Sequence, residues 1–233
     1  MSTPSTPAPS PANGRRRWVP GERLVGRAPE PTHADGAPTI GVLALQGDVL
    51  EHLRALRRCG ANAVEVRTTE QLAQVDGLVL PGGESTTIGK LLERFELMQP
   101  LRDRIGAGLP VFGTCAGMIL LSDELDQDRT QPLIGGIAVR TRRNAYGRQV
   151  DSFDTHLEVA GIEGGPMDVS FIRAPRVQQV LDDRVEVLAS IEDHPVVVRQ
   201  GHLLAAAFHP EVTGDDRLHA AFVAAVERSR IPA

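Results

Sequence analysis

Cysteine, aromatic residues and long apolar runs are scarce in this chain, and each scarcity removes a class of protein. Two cysteines in 233 residues, Cys59 and Cys115, without a C-x-x-C spacing, build neither a disulfide scaffold nor a cysteine-rich zinc site. Aromatic residues make up only 3%, and the formal charge is −5. A surface that stacks bases and neutralises phosphates needs the opposite on both counts, so no nucleic-acid partner is expected. No stretch approaches the ~18 consecutive apolar residues of a membrane-crossing helix, so no membrane partner is expected either. What is present, 41% hydrophobic and 24% charged residues, fits a soluble α/β protein of a reducing compartment, with a cytoplasmic location.

Proline is concentrated at the beginning. Residues 1–38 hold eight of the 17 prolines, the only tryptophan (Trp18) and an Arg15-Arg16-Arg17 run. Such a segment buries too little apolar surface to offset its ordering entropy, and is expected to be a disordered extension. The arginines invite a secretory reading, but no apolar run of ~7–15 residues follows them. The extension carries five arginines against three acids, which leaves 20 basic and 27 acidic side chains, net −7, in 39–233. That remainder is expected to be one folded domain.

From Thr39 onward, short apolar runs alternate with amphipathic stretches. Strands are expected at 39–45, 63–66, 77–80 and 110–113. Asp48 and Glu51 suggest a capping box, with Val49, His52, Leu53 and Leu56 as one helical face and Gly60 as its stop. Ile88, Leu91, Leu92 and Phe95 make a second face, and a helix is expected from about Ala116 to Leu125. This β-α rhythm predicts a three-layer α/β/α, flavodoxin-like doubly wound sheet, mostly parallel. The second half reads as strands near 138–141, 149–154, 169–172, 185–191, 196–200 and 203–208, an added antiparallel portion. A closing helix is expected at 216–228.

In open α/β sheets ligands bind beyond the carboxyl ends of the strands. Gln46-Gly47, Pro81-Gly82-Gly83-Glu84-Ser85, Thr114-Cys115-Ala116-Gly117 and His209-Pro210-Glu211 all follow strands. Gly113-Thr114-Cys115-Ala116-Gly117 has the G-x-nucleophile-x-G form of a nucleophile elbow, whose glycines permit a sharp strand-to-helix turn. A buried structural cysteine is the competing reading. The helix start at Ala116 would offer free N–H groups and partial positive charge near the sulfur. In extended chain His209 and Glu211 would project to one side, base and orienting carboxylate. Gly83–Lys90 mimics a phosphate-binding loop, but five residues separate Gly83 from Gly89 and Leu91 follows Lys90, so ATP is not expected. Of the other histidines, His52 and His219 sit within helical patterns, His33 lies in the extension, and His156, His194 and His202 have no metal-ligand spacing, so no metal or cofactor is expected.

Together, Gly41–Gly47, Leu80–Thr87, Phe112–Met118 and Phe208–Glu211 resemble the triad-type class I glutamine amidotransferases. Arg143-Asn144-Ala145-Tyr146-Gly147-Arg148-Gln149-Val150-Asp151-Ser152-Phe153 and Phe171–Pro175 narrow the resemblance to glutaminase subunits of pyridoxal 5′-phosphate synthase. It implies that Cys115 attacks the carboxamide of L-glutamine, with His209 moving protons and Glu211 orienting it. It further implies an oxyanion hole from Gly82, Gly83, Ala116 and Gln46. Substrate contacts carry over to Gly83, Glu84, Ser85, Arg143, Ile172 and Arg173. Ammonia would pass to a (β/α)₈ synthase subunit. A non-catalytic subunit, a cysteine peptidase and an amidotransferase of another pathway are the alternatives. The intact triad weighs against the first, the glutamine contacts against the second and the 143–153 run against the third.

Overall fold

A computed structural model describes residues 36–126, 130–143 and 152–231. The Pro/Arg-rich extension up to residue 35, Trp18, and residues 144–151 of the 143–153 run lie outside the described residues. The first half runs β1 (Thr39–Leu43), α1 (Val49–Arg58), β2 (Asn62–Val66), α2 (Thr69–Ala73), β3 (Gly77–Leu80), α3 (Ser85–Arg94), α4 (Met98–Gly106), β4 (Val111–Thr114) and α5 (Ala116–Leu121). The second half adds β5 (Ser122–Leu125), β6 (Ile137–Arg142), β7 (Ser152–Leu157), β8 (Met167–Ile172), β9 (Arg176–Val180), β10 (Glu186–Ile191), β11 (His194–Gln200), β12 (Leu203–Ala206), α6 (Pro210–Thr213) and α7 (Arg217–Ser229).

Strands without a polar face must be covered on both sides, and β3 and β4 are buried at every residue. The seven-stranded sheet has the order β10-β11-β12-β4-β3-β1-β2. It is parallel from β12 to β2, and the β10-β11 hairpin adds antiparallel strands at one edge. Helix α1 contacts α7, and α3 contacts both α4 and α5, giving the helical layers of a doubly wound sheet. The added antiparallel portion is split further into a β5-β6-β9 sheet and a β7-β8 ribbon. Among the described residues no helix is long and apolar enough to cross a membrane.

Several local expectations are corrected. The helix after Cys115 stops at Leu121, where the Ser122 hydroxyl donates to the Met118 carbonyl, and 122–125 pair with β6 as a strand. Asp48 makes no capping bond. A complete capping box occurs instead at Thr68 and Gln71, which start the unexpected α2. Phe95 is 53% exposed, since α3 ends one residue earlier. Helix α4, strand β9 and the short α6 were also not expected.

Candidate active site

The pairing of β12 with β4 brings two distant segments together. Ala206 lies opposite Thr114, and the Cys115 amide donates to the Ala206 carbonyl at 2.8 Å. The residues that follow, Cys115 on one strand and His209 on the other, leave the sheet at the same end.

Cys115 has φ 47° and ψ −100°, backbone that costs an L-residue about 1–3 kcal/mol. The turn persists because its surroundings admit no other: a Cβ on Gly117 would lie 2.2 Å from the Leu80 carbonyl oxygen. One on Gly113 would lie 2.6 Å from the Gly117 carbonyl carbon. Both glycines of the motif are thus demanded by close backbone approach. Cys115 is the N-cap residue of α5, beside the first-turn amides that a helix leaves without intrahelical partners.

His209 and Glu211 do meet, though not along extended chain. Pro210 opens α6 at its first helical position, and Glu211 sits on that turn. Glu211 Oε1 accepts from His209 Nδ1 at 2.7 Å, and the carboxylate is fully buried. Burial disfavours charge on His209. The hydrogen-bonding and coulombic influence of Cys115 and Glu211 outweighs it and raises the imidazole pKa to about 10. At neutral pH this histidine is an imidazolium. With Nδ1 on Glu211, Nε2 is the nitrogen left for the sulfur. The arrangement can hold a nucleophile ready, deliver a proton to a leaving group and recover it afterwards.

A cavity of about 260 Å³ opens over the sulfur. Cys115, Ala116 and His209 line it together with Gly83, Glu84 and Ser85 and with Arg143, Ile172 and Arg173. Asp48 and Ile119, not singled out from sequence, complete the lining. Gln46, Gly82 and Glu211 are not among the lining residues. The Gln46 amide oxygen accepts from the Glu84 backbone at 2.8 Å, tying the end of β1 to the glycine loop. The Glu84 carboxylate is engaged as the cap of α3, accepting from the Thr86 and Thr87 amides, and pairs with Arg143 at 2.6 Å. Partial burial opposes its charge, but the bonds from Thr87, Thr86 and Arg143 hold its pKa down at about 2. Arg143 also reaches Thr86 and Gln131, so its guanidinium is oriented before any ligand arrives.

Asp48 Oδ2 lies 3.5 Å from His209 Nδ1, and donor atoms of Asp48, His209 and Glu211 fall within 4.8 Å of one another. Since that nitrogen already donates to Glu211, the cluster reads as two carboxylates around one imidazolium. A larger groove of about 650 Å³ between α7 and the β11-β12 hairpin contains neither Cys115 nor His209. Its histidine, His202, is bonded to the Ile105 carbonyl.

Sequence reasoning missed what lies behind Glu211. His52 and His219, set aside as residues of helical patterns, are both fully buried and meet at 2.9 Å. His52 Nε2 lies 3.0 Å from Thr114 Oγ1 and 3.5 Å from Glu211 Oε2. The available signal was a histidine on the apolar stripe of α1, a position where an imidazole needs a buried partner.

Residues 42–228, which include the elbow, the histidine and the carboxylate, match the SNO glutamine amidotransferase family. The chain belongs to that family. Among SNO relatives, a "pyridoxal 5′-phosphate synthase subunit PdxT" of Frankia alni is 62% identical over 193 residues, covering 82% of this chain and 96% of the relative. A protein of the same name from Nocardia farcinica is 57% identical over 202 residues, covering 84% and 89%. A solved structure described as a glutamine amidotransferase superposes with a TM-score of 0.76 at 49% identity, covering 80% of this chain and 98% of that one. The SNO match thus runs from within β1 into α7 rather than resting on the elbow alone.

Proposed function

We propose that the chain hydrolyses L-glutamine to L-glutamate and ammonia as the glutaminase subunit of a pyridoxal 5′-phosphate synthase. The observation that carries the reading is the Cys115 elbow beside a hydrogen-bonded His209–Glu211 pair, with Cys115, His209, Arg143 and Arg173 lining one pocket. Cys115 attacks the side-chain carbonyl carbon as thiolate. The C–N bond breaks as His209 gives its proton to the departing ammonia, leaving a γ-glutamyl thioester. Water then adds to the thioester while His209 takes its proton, and glutamate departs as the C–S bond breaks. Amides of Ala116 and the Gly82-Gly83 loop, organised by Gln46, stabilise the oxyanion. Arg143 and Arg173 hold the substrate α-carboxylate, and Gly83, Glu84, Ser85 and Ile172 complete its contacts.

The ammonia goes to a synthase subunit, a (β/α)₈ barrel in this reading, in a cytoplasmic assembly. Residues 39–233 carry the activity, and the preceding extension is dispensable for it. The test is ammonia release from glutamine by the full chain, with and without the synthase subunit. Turnover that rises with the partner and vanishes in Cys115→Ala is expected. Turnover retained in that variant would eliminate the nucleophile, and a wild type that never releases ammonia would eliminate the reading.

A further inference from the structure

The buried pair of histidines behind the triad serves no step described so far. Glu211 turns one carboxylate oxygen to His209, while the other, Oε2, is buried without a hydrogen-bond partner among the described residues. A carboxylate oxygen sealed from water needs a donor to face, or the group loses both its charge and its orientation. His52 Nε2, a donor-capable atom, lies 3.5 Å from it.

We propose that His52 is a positioning residue for Glu211, holding the carboxylate from behind with its Nε2–H so that Oε1 stays on His209. The inference rests on the reading of Cys115, His209 and Glu211 as a glutaminase triad.

The tautomer follows from the surroundings. Burial, the neighbouring His219 and the positive His209 all push the His52 pKa well below its ordinary value, so the ring is neutral and carries one proton. With the proton on Nε2, it lies between the Thr114 hydroxyl oxygen and the Glu211 carboxylate, two acceptors. Nδ1 then accepts from His219 Nε2, and the atom left over is His219 Nδ1, a buried neutral lone pair. With the proton on Nδ1 instead, a lone pair would face the carboxylate, and His219 Nδ1–H would be a buried donor without a partner. An orphaned acceptor is tolerated better than an orphaned donor, which selects the first tautomer. Thr114 immediately precedes Cys115, so His52 contacts the residue before the nucleophile as well as the Glu211 carboxylate, while lining none of the pocket.

The experiment measures glutamine turnover by the full chain with its synthase subunit, for wild type, His52→Leu and His52→Gln. Leucine removes the donor; glutamine returns an amide N–H near the position of Nε2. For His52→Leu, kcat is expected to fall about ten- to a hundredfold with KM within about twofold, and His52→Gln to recover most of it. Unchanged kcat in His52→Leu, or glutamine no better than leucine, would overturn the inference while the functional reading stands. Nitrogen NMR of the histidine-labelled wild-type chain decides independently of folding or turnover. A neutral Nε2–H signal for His52 at pH 7.5 supports the inference, and a neutral Nδ1–H signal overturns it.

Discussion

Replacing Gly117 by alanine tests how rigidly the elbow is held. The added Cβ would lie 2.2 Å from the Leu80 carbonyl oxygen and 3.0 Å from its carbon, where ordinary contact begins near 3.4 Å. Helix α5 must therefore retreat from β3 by about 1 Å. Neither side yields cheaply. Leu80 is in the centre of the sheet, and every residue of α5 is buried. Overpacking of this kind costs about 1–3 kcal/mol, which for a domain of this size lowers Tm by about 2–4 °C per kcal/mol. Function suffers more than stability, because Cys115 immediately precedes α5 and moves with it. A misplacement of about 1 Å costs roughly a hundredfold in rate. Thermal melts and ammonia release with the synthase subunit measure the two effects separately. Gly106→Ala is the matched control: its Cβ meets nothing within 4 Å, and in the last turn of α4 it should be neutral or gain up to about 1 kcal/mol. A Gly117→Ala enzyme with wild-type kcat would refute the claim that close packing on β3 sets the position of the sulfur.

Three further outcomes are expected. Glu211→Gln removes a charge that raises the His209 pKa, so the imidazolium population at neutral pH falls. The alkylation rate of Cys115 by iodoacetamide near pH 7 should drop and kcat fall about 10²–10⁴-fold, and an unchanged alkylation rate would contradict the pairing. Burial lowers the His219 pKa from 6.5 to about 4, with Asp216 opposing and Arg58 assisting. Its contribution, about 3 kcal/mol, is present above pH 6.5 and lost as pH falls toward 4, because the unfolded chain takes up the proton first. Urea melts at pH 7 and 4.5 should show this loss, diminished in His219→Leu; parallel losses would count against it. Arg143→Gln should raise KM for glutamine at least tenfold with a smaller effect on kcat, whereas a pure kcat loss would move Arg143 out of the substrate contacts.

Legibility followed the range of the interaction. Strand β3 runs over the expected 77–80, because three consecutive apolar residues after Gly77, between loops, admit little else. The face of α1 was visible in its spacing, and His52, Leu53 and Leu56 are buried as that spacing requires. Helix α5 was read too long because Ser122–Leu125 has no local reason to leave the helix; pairing with β6 supplies the reason. The turn at Pro210 was read as extended because proline restrains the residue before it, and indeed His209 is non-helical, but proline also starts helices. The partnership of His52 with His219 spans 167 residues and leaves no periodic trace.

By itself, the sequence determined the turn at Cys115. G-x-C-x-G is a local backbone instruction, and two glycines at those positions suffice to write it. Tertiary structure alone decided the charge states. His209 is raised to about 10 only because β12 lies against β4, so that one imidazole meets a sulfur from one strand end and a carboxylate from the turn after the other. His52 and His219 stay neutral only because the fold seals both from water. Protonation answers to burial and to charges that are neighbours in space, and those neighbours exist only once the chain is folded.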